Sequence, residues 1–202
     1  MPTLFDPLKL RDVEFPNRIW MSPMCTYSAV PTGEQAGALT GFHHAHYVAR
    51  AAGGVGLVML EATAVSPVGR ITPNDLGLWS DKQVGGYANL VAEIHASGAK
   101  AGIELSHAGR KASTAQPWHG GAYLDTPHGG WATQGPSALA FPGSPAPYPL
   151  TTEEIRGVVR DFVDAATRAD DAGFDVLEIH AAHGYLLHSF LSPISNDRHD
   201  EY

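Results

Sequence analysis

Short apolar runs that end in small or polar residues recur along the chain at Arg18–Met24, Val55–Thr63, Lys100–His107 and Asp175–Ala182. Their nearly continuous hydrophobicity predicts strands buried on both faces, as in a parallel sheet. Between them lie helical patterns. Phe42–Ala52 is the first, Lys82–Ser97 the second, with Val84, Tyr87, Leu90, Val91 and Ile94 at three and four spacing, and Thr152–Ala172 the third. Thr151 or Thr152 can cap the third, Glu153 and Glu154 favour its positive end, and Gly173 supplies its stop, as Gly98 does for the second.

The order strand, loop, helix, strand predicts right-handed βαβ units in a parallel sheet, either doubly wound and open or closed into a (β/α)₈ barrel. No GxGxxG follows the first strand, which weakens the dinucleotide-binding version of the open sheet. A complete barrel takes about 250 residues, so four strands amount to its amino-terminal half, read here as a single domain over residues 1–202. Arg110 to Leu150 is rich in Gly, Pro and aromatic residues (Trp118, Tyr123, Trp131, Phe141, Tyr148). A loop of that length is either an ordered surface excursion or a lid.

Composition narrows the partners. The 202 residues carry a formal charge of −8, with 44% hydrophobic and 17% charged residues. An acidic chain without a basic run does not capture nucleic acid or anionic lipid electrostatically, so small molecules and proteins are the expected partners. No apolar run approaches the ~20 residues of a membrane span, and Asp6 and Pro7 interrupt what a signal peptide would need. A cytoplasmic location is expected. The single cysteine, Cys25, excludes an intrachain disulfide and leaves a free thiol.

The chemically interesting residues fall at the carboxyl ends of the four strands: Cys25 and Tyr27, Ala62 and Thr63, His107 and Arg110, His180 and His183. Barrel enzymes and open α/β sheets both place their sites there. Cys25 alone reads first as a small buried apolar residue and only second as a reactive thiol. Two histidines three apart could ligate a metal, donate to an oxyanion, or be satisfied polar residues. Period two puts Glu178 on one strand face with His180, which admits a metal-dependent barrel hydrolase.

Taken together, Ser22 to Tyr27, Phe42 to Tyr47 (FHHAHY), Glu61 to Arg70 (EATAVSPVGR), Asp75 to Asp81 (DLGLWSD), Ser106 to Lys111 (SHAGRK) and Glu178 to Tyr202 resemble the old yellow enzyme family of flavin-dependent ene-reductases. Cys25 and Tyr27 match its thermophilic-like branch, and Pro117 to Trp131 resembles the loop of the xenobiotic reductases within it. The resemblance implies a (β/α)₈ barrel with non-covalent FMN. Hydride passes from NADPH to the flavin and then to the activated C=C of an α,β-unsaturated carbonyl or nitro compound. It assigns the substrate's activating oxygen to His180 and His183, with Tyr27 as a further contact, and proton donation to Tyr185. Cys25 is placed at the reactive edge of the flavin. Ser22, Pro23, Met24, Ala62, Glu104 and His180 line the ring, and the full-length form is expected to be a homo-oligomer.

His43, His44 and His46 are read as packing or surface. Where the family has Gln this chain has Glu104, an acceptor when ionised. That carboxyl is then protonated through burial, or it lowers the flavin potential, or it weakens flavin binding. The family's phosphate site and an arginine near the flavin pyrimidine fall after Tyr202. The alternative to an active enzyme is a truncated, non-catalytic fragment.

Overall fold

The computed structural model describes all 202 residues. A hairpin of β1 (Leu8–Leu10) and β2 (Val13–Phe15) precedes the main sheet, which is built from β3 (Trp20–Met21), β4 (Leu57–Ala64), β5 (Lys100–Ser106) and β8 (Val176–Ile179), with β6 (Gln134–Gly135) and β7 (Tyr148–Pro149) pairing separately. Helices α1 (Gly41–Ala52), α2 (Asp81–Ala96) and α3 (Thr152–Asp171) connect the sheet strands, and a short α4 (Leu186–Leu191) follows β8. The sheet order is β3-β4-β5-β8 with every pair parallel. These are the successive βα units of a barrel.

Each long helix starts on a capping box, Thr40 with His43, Ser80 with Gln83 and Thr151 with Glu154, where side chains satisfy amides the helix leaves free. A glycine at φ near +90° follows each one: Gly54 at 93°, Gly98 at 87°, Gly173 at 88°. That left-handed turn releases the chain into the next strand at low steric cost.

The principal core lies between sheet and helices. Leu60, Ile103 and Leu105 meet Tyr47 from α1, Tyr87, Leu90 and Ile94 from α2, and Ala165 and Ala169 from α3. Each fully buried Leu or Ile there contributes roughly 1.5–3 kcal/mol. A smaller cluster of Phe15, Leu57 and Met59 lies on the opposite face of β4. Gly102 permits it, since a Cβ there would stand 2.1 Å from the Met59 sulfur.

Burial on both faces holds for β4 and nearly all of β5 but not for the flanking strands. Trp20 is 40% exposed, Leu177 43% and Ile179 60%. Both strands are sheet edges, with one neighbour each. The first strand is also shorter than its apolar run, because Pro23 has no N–H to continue the ladder.

One irregularity shapes the site. Leu60 pairs with Ile103 but Ala62 pairs with Glu104, so Glu61 is an extra residue in β4. Such bulges re-aim side chains near functional sites. No helix is long and apolar enough to cross a membrane.

Candidate functional site

A cavity of about 650 Å³ opens at the carboxyl ends of the four strands. Its walls include Pro23, Met24, Cys25 and Tyr27 after β3, Ala62 and Glu104 on the central strands, and Glu178, His180, His183 and Tyr185 on or after β8. The structure therefore brings together every expected site residue except Ser22. That residue lines a neighbouring, more apolar cavity with Trp20, Leu57 and Met59.

The floor follows from the bulge. Register places Ala62 opposite Glu104 and Glu104 opposite Glu178, a row of one methyl and two carboxyls across three strands. Burial, then the neighbouring Glu178, push Glu104 up to about 7. Near neutral pH the carboxyl is thus partly protonated, with one O–H donor and one carbonyl acceptor, the pair that a glutamine amide presents. Of the three consequences expected from Glu in place of Gln, protonation through burial is the one this geometry favours.

After β8 the chain turns sharply. His183 has φ +55° and Gly184 +71°, and Tyr27 across the cavity has φ +51°. Left-handed backbone at non-glycine residues is uncommon and concentrates at functional sites. The Ala182 N–H donates to His180 Nδ1 at 3.2 Å, so the neutral ring carries its proton on Nε2, 3.1 Å from His183 Nδ1. Burial, then His183, lower the His180 pKa and favour that neutral ring. Glu104 lies 4.0 Å from the same Nε2. The Tyr185 ring packs 4.7 Å from His180, centre to centre, and burial raises its phenol pKa far above the ordinary value. Burial likewise raises Cys25, holding it as a thiol, and pushes Tyr27 up to about 12.

Sequence reasoning missed what braces the Cys25–Tyr27 loop. The Thr26 N–H and hydroxyl both donate to the Glu61 carboxylate, the hydroxyl at 2.8 Å. His43 Nε2 donates to the same carboxylate at 3.0 Å, its Nδ1 being occupied by the Thr40 N–H at 3.0 Å. So His43, read as packing or surface, is fully buried and stands directly behind the site. A signal existed: an acid inside the apolar run LVMLEATA is a buried charge that needs partners. His44 does pair at the surface, with Glu93.

The 110–150 segment is docked on the strand ends. Trp131 Nε1 donates to the Val68 carbonyl at 2.9 Å, and the Arg70 guanidinium stacks on both Trp131 and Trp79. Trp118 meets the Tyr27 ring edge-on at 5.7 Å. His180, His183 and Glu178 are not arranged as a three-ligand metal set; no group of His, Cys, Asp and Glu is.

A parallel sheet with helices on its outer side and a polar cavity at its carboxyl ends defines half of a (β/α)₈ barrel, with its site on the loops. Residues 3–202 match the NADH:flavin oxidoreductase / NADH oxidase family, and the chain belongs to it. It is 54% identical to the NADPH dehydrogenase of Listeria welshimeri over 203 residues, covering 100% of this chain and 55% of that protein. It is 49% identical to the NADPH dehydrogenase of Bacillus subtilis over 200 residues, covering 98% and 54%. Morphinone reductase superposes with a TM-score of 0.82 at 32% identity, covering all of this chain and 54% of that one. The old yellow enzyme homologue from Zymomonas mobilis gives 0.81 at 31%, covering 99% and 54%. The chain spans about half the length of the curated relatives it matches.

Proposed function

We propose that this chain forms the amino-terminal half of an FMN- and NADPH-dependent reductase acting on the activated C=C of α,β-unsaturated carbonyl or nitro compounds. One observation carries the reading. The loops after β3 and β8 meet in one cavity, so that His180, His183 and Tyr185 share walls with Cys25 and Tyr27.

The residues present fit a flavin: the methyl of Ala62 leaves the floor shallow, and a partly protonated Glu104 offers the donor and acceptor a pyrimidine edge requires. Pro23, Met24 and Cys25 would line the ring, with Ser22 adjoining. Bound there in reduced form, FMN would supply the hydride.

The chain's own groups do the rest. A neutral His180 donates through Nε2 to His183 Nδ1; a substrate oxygen seated between the two rings would take over that donation and receive a second from His183 once its proton moves to Nδ1. Donors fixed at that oxygen bind the enolate-like charge of the transition state more tightly than the ground-state carbonyl, which is what accelerates the step. Tyr27 supplies a third polar contact from across the cavity. The raised pKa of Tyr185 keeps its hydroxyl protonated until a strongly basic carbon is presented to it. Trp118 against Tyr27 makes the 110–150 segment a wall of the substrate pocket. Small-molecule partners accord with the acidic composition; a cytoplasmic location and assembly of the full-length form into a homo-oligomer belong to the same proposal.

The test is the full-length protein. It is expected to purify with a flavin absorbance and to oxidise NADPH in the presence of cyclohexenone. Replacing both His180 and His183 by Ala should lower turnover by roughly 100 to 1,000-fold, the usual effect of losing an oxyanion donor. Unchanged turnover in the double variant would remove the assignment.

A further inference from the structure

Lys111 follows β5 on a single turn at Gly109–Lys111. Its ammonium donates to the His183 carbonyl at 2.5 Å and lies 4.5 Å from the centre of the Phe141 ring. Gly184 makes the room, since a Cβ there would stand 3.2 Å from Lys111 Cε and 3.3 Å from Nζ. The cation is therefore held in place. It is not neutralised, because no carboxylate oxygen comes within 4 Å of Lys111 or of the neighbouring Arg110. Arg110 spends its Nη1 on the carbonyls of Leu139 and Ala140, at 2.9 and 3.3 Å.

Beside Lys111 lies a second cavity of about 480 Å³, with Thr114, Tyr123, Phe141 and Ser144 in its walls and no acidic side chain. His183 and Tyr185 border both this cavity and the first. A chain of net charge −8 thus keeps an uncompensated positive spot one side chain away from its reaction site. A partly buried ammonium with two N–H bonds to spare binds an oxyanion more strongly than an exposed lysine does, because water screens it less.

We propose that this second cavity is an oxyanion subsite. It takes a carboxylate or phosphate carried by a molecule whose reactive end lies in the first cavity, and Lys111 holds that charge. The proposal rests on the preceding reading only for the chemistry of the reactive end. The group could belong to the substrate, as a carboxylate, or to the reductant, as the 2′-phosphate that distinguishes NADPH from NADH.

Calorimetric titration of the full-length, oxidised protein separates these sources. The probes are a cyclohexenone bearing a propanoate tail, its methyl ester, and the tetrahydro forms of NADPH and NADH, which cannot give up hydride; reduction of the ester with NADPH is measured separately. For a substrate subsite, the carboxylate should bind about tenfold tighter than the ester. Lys111→Met should abolish that gap and leave ester affinity unchanged, Lys111→Arg should retain it, and salt at about 0.5 M should shrink it. If the Lys111-dependent gap appears instead between tetrahydro-NADPH and tetrahydro-NADH, the subsite stands and its anion is the reductant's phosphate. Equal affinities within both pairs, with or without Lys111, would overturn the subsite while ester reduction upholds the reductase. An equal loss for ester and carboxylate in Lys111→Met would also overturn it, leaving Lys111 as a prop for the His183 carbonyl. A Lys111-dependent anion preference without ester binding or reduction would keep the subsite and remove the reductase reading.

Discussion

The two ends of the sheet treat their carboxylates in opposite ways. At the amino end, Asp175 just before β8 accepts from Lys100 Nζ at 3.0 Å, His95 Nε2 at 2.7 Å and the Ala101 N–H at 2.9 Å. Burial pushes its pKa up, but these hydrogen bonds outweigh it and hold the carboxyl below its ordinary value. At the carboxyl end, Glu104 has burial and the like charge of Glu178 against its ionisation, and is pushed up to about 7. A carboxylate given partners stabilises the fold. One set beside another carboxyl weakens it when ionised, and is retained where its proton has a use.

The largest expected effect belongs to the carboxyl end and touches stability hardly at all. The double replacement of His180 and His183 by Ala should remove 100 to 1,000-fold of activity while the thermal midpoint moves little, since both rings lie on a loop outside the main core. A midpoint that collapsed with the activity would erase the distinction between the two ends.

Next comes Glu104→Gln. A folded-state pKa raised from the ordinary 4.5 to about 7 gives stability that is fully present below 4.5 and lost as pH rises through 7. The variant should therefore be the more stable protein at pH 8, by up to ~3 kcal/mol, and the difference should vanish near pH 4. Denaturant melts at the two pH values check it, and equal stability at both would mean that Glu104 ionises freely.

Asp175→Asn should act with the opposite sign. Its depressed pKa contributes stability that is present above the ordinary value of 3.8 and lost as pH falls through the folded value. At neutral pH the variant should lose about 1–3 kcal/mol, as for a hydrogen-bonded charge. A loss that persisted undiminished at pH 2 would assign it to packing instead.

The smallest effect is expected at the sheet edge. Leu177→Ser should cost under ~1 kcal/mol, because the side chain is already 43% exposed. It should nonetheless reduce self-association of the 202-residue polypeptide made alone, in which β3 and β8 are open edges that invite pairing. Sedimentation of the two forms decides this, and an unaltered profile would acquit that edge.

Much of this architecture is legible in the sequence. The four apolar runs and three helical patterns predict the strands and helices to within a few residues; for β4 and β5 the reason is burial on both faces, which leaves a continuous apolar signal. The β1–β2 hairpin has no such signal, since Leu8 to Phe15 is short and mostly exposed. The site residues were legible only through motifs that resemble a family. Spacing alone leaves His180 and His183 as metal ligands, donors or packing. Glu61 and His43 escaped because their role depends on a hydrogen bond between residues 18 apart, from helix to strand. Glu104 was visible as a departure, but its charge state depends on Glu178, 74 positions away in the chain and adjacent across the sheet.

The extra residue in β4 bears on how the chain tolerates insertions and deletions. Before it, Leu57 and Met59 pack with Phe15 while Val58 and Leu60 face the helices; after it, Ala62 opens on the cavity. The strand thus changes parity at Glu61. Deleting that one residue would restore plain alternation and leave Ala62 on the cavity face opposite Glu104, but it would take away the carboxylate that Thr26 and His43 share. A deletion at position 61 would thus keep the two faces of the strand that forms the floor and remove the brace behind the Cys25–Tyr27 loop.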